Sequence, residues 1–91
     1  MKITLSSPIF VSGVETDTLE MREPEVEDML AMKKSKKTPG EAEVDLFANL
    51  CMVEPAAIRK MKYRDYGKLQ KAFGDFVKSE DDAKEDETPL E

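Results

Sequence analysis

The chain has 91 residues, with no His, no Trp and a single Cys, which is room for one small domain that buries about 60% of its unfolded surface. The residues needed for Ser–His–Asp or Cys–His nucleophilic catalysis, and for a His- or multi-Cys-ligated zinc site, are absent, and a lone thiol forms no internal disulfide and suits a reducing compartment. The net charge of −6 belongs to the last 13 residues: residues 1–78 hold 13 Lys plus Arg against 13 Asp plus Glu, whereas residues 79–91 hold seven acids against Lys84.

The opening Met-Lys-Ile-Thr-Leu-Ser-Ser-Pro contains no apolar run of signal-peptide length. No stretch approaches the ~18–20 apolar residues of a membrane span. A soluble, cytoplasmic, non-enzymatic protein is the expectation, with no cofactor and no metal.

In chain order, the first 23 residues read as β. Ile3 and Leu5 alternate with polar neighbours, Pro8 interrupts, and Ile9-Phe10-Val11 runs into a Ser12-Gly13 turn. Thr18 to Arg22 then alternates again, with Leu19 and Met21 on the dry side. This predicts a hairpin or small meander with one buried face.

From Pro24 the period turns helical, with Pro24 at the first helical position and Glu25, Glu27 and Asp28 at the positive end of the helix dipole. Val26, Met29, Leu30 and the stem of Lys33 share a face. The basic run Lys33-Lys34-Ser35-Lys36-Lys37 reads as a helix end and solvated loop. Thr38-Pro39-Gly40-Glu41 fits a capping box. In the helix that follows, Val44, Phe47, Ala48 and Cys51 line one side and Leu46, Leu50 and Val53 another, so it is the central one. Cys51 is expected to be an inert core thiol.

Pro55 opens one or two further turns, and a last helix runs from about Tyr63 to Val77. Its apolar face carries Tyr66, Leu69, Phe73, Phe76 and Val77; Arg64, Lys68, Lys71 and Lys78 lie on another. Phe47, Phe73 and Phe76 imply that the last two long helices pack together. The tail from residue 79 has almost nothing apolar to bury and is expected to be disordered. Its closing Leu90-Glu91 reads equally as native sequence or as a cloning scar. The fold class is α+β: a small N-terminal hairpin or meander, then three to four packed helices in a single domain over 1–78, with an acidic disordered tail over 79–91.

Chemical motifs are few. The acidic tail lacks the glycine and the acid spacing of an EF-hand. The four glycines, at 13, 40, 67 and 74, make no phosphate loop. The basic stripe has only Gln70 nearby to read bases and belongs to a neutral domain, so nucleic acid is not the favoured partner.

The order of segments resembles a known family. Ile3-Thr4-Leu5-Ser6-Ser7-Pro8-Ile9, a glycine turn, Thr18-Leu19-Glu20-Met21-Arg22-Glu23-Pro24 and Asp28-Met29-Leu30 look like the opening of the Mu-like phage tail assembly proteins. Leu50-Cys51-Met52-Val53-Glu54-Pro55-Ala56-Ala57-Ile58 and Asp65-Tyr66-Gly67-Lys68-Leu69-Gln70-Lys71-Ala72-Phe73 look like its second half. Lys33–Lys37 departs from the pattern. The resemblance implies a tail assembly chaperone that acts in the bacterial host cytoplasm, binds the tape-measure protein (with the tail tube protein as a second partner) and is absent from the finished virion. It also implies a programmed ribosomal frameshift near the 3′ end of the gene, and the tail from residue 79 is where such a switch spares the fold. A groove lined by Met61, Leu69, Phe73 and Phe76, where the last two helices meet, is the expected contact. Ordinary core packing is the favoured alternative for these four. Two other classes remain open: a structural tail accessory present in particles, and a small DNA-binding regulator using Arg64, Lys68 and Lys71.

Overall fold

The computed structural model describes the backbone of residues 1–85 and the side chains of residues 1–77. Strands β1 (Lys2–Val11) and β2 (Val14–Glu20) form an antiparallel hairpin, followed by helices α1 (Val26–Lys34), α2 (Pro39–Cys51), α3 (Pro55–Arg59) and α4 (Tyr63–Glu85). This is the expected α+β arrangement.

Val11 pairs with Val14, so the hairpin closes on the two residues Ser12 and Gly13. Both have positive φ, 52° and 81°, as a type I′ turn requires. A side chain at Gly13 would be strained whatever the space around it. The Ser12 N–H donates to the Glu54 carboxylate at 2.8 Å, which ties the hairpin tip to the start of α3.

Pro8 was expected to interrupt the first strand; instead β1 runs through it. The interruption takes the form of a bulge. Thr4 pairs with Thr18 and Ile9 with Thr16, so residues 5–8 lie opposite Asp17 alone. Proline has no N–H to lose at such a site, but the N–H groups of Ser6 and Ser7 are turned out of the ladder and need acceptors.

The Asp65 carboxylate, in the first turn of α4, supplies them. It accepts from Ser6 N at 2.9 Å, Ser6 Oγ at 3.1 Å and Ser7 N at 3.3 Å. Lys68 stands 3.5 Å away and donates to the Thr4 carbonyl at 2.8 Å. Asp65 is fully buried. Burial pushes its pKa up, but the bonds from Ser6 and Ser7 and the Lys68 charge outweigh that and hold it below its ordinary value.

Three features of the helices depart from the sequence reading. First, α1 begins at Val26 with Glu25 as its cap, so Pro24 precedes the helix. Second, the Val26/Met29/Leu30 face is not the buried one. Asp28 is buried and Met32 packs on the core, while Val26 is 76% and Leu30 49% exposed. Third, α4 does not stop at Val77. It continues to Glu85, into the segment read as a disordered tail; the rest of that tail, residues 86–91, lies outside the described residues.

Helix α2 is the central helix, as expected. Ala42, Leu46, Phe47, Ala48, Leu50 and Cys51 are all buried along it. Thr38 Oγ accepts the Glu41 N–H at 3.3 Å; the reverse bond, from the Thr38 N–H to the Glu41 carboxylate, is not formed among the described residues, so only half of the capping box is built. The hairpin lays Ile3, Leu5, Ile9, Leu19 and Met21 on the same core, and α4 adds Leu69 and Ala72. Phe47 meets Tyr66 at 5.5 Å and Phe73 at 5.6 Å between ring centroids, which joins α2 to α4.

Replacing Asp65 by Ala removes the charged acceptor of the Ser6 and Ser7 N–H groups and should cost about 2 kcal/mol, read as a lowered urea midpoint. The pH dependence follows from the lowered pKa values of Asp65 and Asp28. Their stabilisation is complete above the unfolded carboxylate value of about 3.9 and fades as pH falls through the lower folded values. Urea midpoints measured against pH should hold steady near neutrality and drop below about pH 4, less steeply in Asp65→Asn. Burial raises the Cys51 thiol to about 11, so little thiolate forms at pH 8. Ellman's reagent should therefore react at that pH only after urea unfolds the chain.

Candidate functional site

The four residues expected to line a partner groove divide in the structure. Leu69 is fully buried and Met61 nearly so, and both belong to the core. Phe73 and Phe76 are half-buried and pack against the core's edge. Val77, expected on the buried face, sits 39% exposed where that face runs out.

Large apolar side chains are exposed at Phe10, Val14, Met52 and Tyr63, and a further uncovered apolar surface lies between α1 and the far part of α4. Pro24, Val26 and Met29 form one wall of a groove there, Phe76 and Val77 the other, and Glu23 and Glu25 stand at its mouth. Leu30 extends the α1 wall by a helical turn from Val26, since residues spaced three or four apart share a face. Glu27 is also exposed on α1.

A polar clamp explains why these apolar residues face out. Arg22, in the strand-to-helix link, grips Asp28 through two parallel bonds of 2.9 Å each. Asp28 also accepts the Glu25 N–H at 2.8 Å. The Arg22 bond, then that from Glu25, holds the Asp28 carboxyl below its ordinary range and outweighs the effect of burial. The Arg22 N–H donates to the Leu50 carbonyl at 3.0 Å, so the clamp is anchored on the end of α2. With Asp28 turned inward, Ala31, Met32 and Ser35 line a pocket between α1 and α2 together with Ala42, Asp45, Leu46 and Asn49. Val26 and Leu30 are left on the far side.

The sequence reading found neither buried carboxylate. By sequence, Asp65 stands among Arg64, Lys68 and Lys71, and Asp28 among the acids at the positive end of a helix dipole. The available signal was the lost register at Ser6-Ser7-Pro8, which frees N–H groups, and an arginine placed just before a helix whose third residue is acidic.

Two members of the basic stripe have partners. Lys68 serves Asp65 and the Thr4 carbonyl, and Lys71 pairs with Asp75 at 3.4 Å. Gln70, the base-reading candidate, donates to Glu43 at 3.2 Å. Glu43 also accepts the Tyr66 hydroxyl at 2.6 Å; burial first, then this bond, pushes the Tyr66 pKa up. In the basic run before α2, Lys37 pairs with Asp45 at 2.6 Å. Among the described residues no group of three potential metal-ligating side chains comes together, and no helix is long and apolar enough to cross a membrane.

No curated protein and no solved structure matches the chain. A family model does: "Phage tail assembly chaperone proteins, E, or 41 or 14" matches residues 2–78. The match spans the hairpin, α1 to α3 and α4 through Lys78, the whole apolar core and both walls of the groove. The chain therefore belongs to the phage tail assembly chaperone family.

Proposed function

We propose that this chaperone binds the tape-measure protein in the host cytoplasm, keeps it soluble while the tail tube polymerises around it, and leaves no copy in the finished virion. The tail tube protein is a second partner in this reading. The protein works by contact alone, without a catalytic step or cofactor.

The carrying observation is a family match to residues 2–78 on a domain that leaves apolar helical surface uncovered beside a complete core. Long apolar stripes on a client helix aggregate in water and are covered by helix-in-groove docking. Of the four expected contacts, Phe73 and Phe76 have side-chain surface to offer, whereas Met61 and Leu69 are buried in the core.

Co-expression with the tape-measure protein tests this reading. The partner should move to the soluble fraction and stay bound in high salt, because apolar contact is little screened. A partner that remains insoluble, or this protein recovered from purified virions, overturns it. Phe73→Ala should weaken capture while leaving a cooperative unfolding transition. If that variant is unfolded instead, Phe73 is core and the contact lies elsewhere.

A further inference from the structure

We infer that the groove between α1 and α4 takes a basic amphipathic helix, whose apolar stripe seats between Val26, Met29, Phe76 and Val77 and whose flanking lysines or arginines meet Glu23, Glu25 and Glu27. The inference deepens the chaperone reading and rests on it only for the helix's owner, a tail protein; the chemistry comes from the groove itself.

Both walls are helical and apolar, and their outermost members are open: Val26 is 76% and Val77 39% exposed. Val26, Met29 and Leu30 fall at the i, i+3, i+4 spacing that receives the stripe of another helix. The three glutamates on the α1 side are all exposed. The carboxylates of Glu23 and Glu27 form no hydrogen bond or ion pair among the described residues, and the nearby Arg22 is committed to Asp28. Among the described residues no cation lines the groove. An apolar floor with a rim of one sign selects a partner of the other sign, chiefly through the association rate and against wrong partners. A second copy of this chain would bring the same glutamates to the same rim, which disfavours it as the occupant.

The test uses the full chain and two fluorescent peptides of about five helical turns, one of Leu and Lys and one of Leu and Glu in the same amphipathic pattern. Anisotropy should show binding of the Leu/Lys peptide only, and amide shifts on binding should centre on Val26, Met29 and Val77. Val26→Glu and Val77→Glu, on opposite walls and at exposed positions, should each weaken it about tenfold with unchanged melting temperatures. The double change Glu23→Lys/Glu27→Lys should weaken it at low salt and shrink the salt dependence. Equal binding of both peptides, shifts centred on the acidic tail, indifference to the wall variants, or dimerisation of the free chain through Val26 and Val77 overturns the inference. Co-expression separates it from the chaperone reading. Capture of the tape-measure protein that survives Val26→Glu leaves the chaperone standing without this groove, whereas peptide binding with no capture leaves the groove and removes that client.

Discussion

The Asp65 carboxylate joins parts of the chain that are 59 residues apart, the β1 bulge and the first turn of α4. Neither end is stable by itself. A bulge with two N–H groups turned out of the ladder must find acceptors, and a two-stranded hairpin is marginal without something packed on its face. By accepting at the bulge, Asp65 seats α4 across β1, with Lys68 on the Thr4 carbonyl as a second tie. Leu69 and Ala72 follow Asp65 by about one and two helical turns, so the register that satisfies the carboxylate also drives them into the core. The polar contact sets the position and the apolar burial supplies the energy.

The Arg22–Asp28 clamp does the same job for α1, with the opposite consequence for the surface. A helix held by its apolar stripe hides that stripe. Held by a buried, doubly bonded carboxylate and a Met32 contact, α1 keeps Val26 and Leu30 in water. The surface available to a partner thus follows from the choice of a polar anchor at Asp28.

This also explains how far the sequence could be read. The hairpin, its Ser12-Gly13 turn and the central position of α2 show in short-range periodicity, because there the buried face and the apolar face coincide. They do not coincide in α1, where counting apolar residues at helical spacing selects Val26, Met29 and Leu30 and misses Asp28. Asp65 is invisible to the same method, since its partners lie in a strand 58 and 59 residues away. The break sensed at Pro8 was real, but its outcome depended on an acceptor from the far end of the chain. The expected contact set mixed two roles for a related reason: Met61, Leu69, Phe73 and Phe76 share apolar character, and only packing separates Leu69 from Phe76.

A domain this small has few large apolar side chains, and each that enters the core is lost to a partner. Phe47, Met21, Leu50 and Leu69 are spent on the core outright. Phe73 stands between the two uses, since it meets Phe47 and keeps some exposed surface. Recruiting more of α4 for binding would strip the layer that covers Phe47. Holding α1 by charge avoids that conflict: its valine and leucine contribute little to the core, so covering or uncovering them barely changes the stability of the fold. If the proposed client docks there, its uptake and release leave the core undisturbed, whereas binding coupled to the core would trade each release against unfolding.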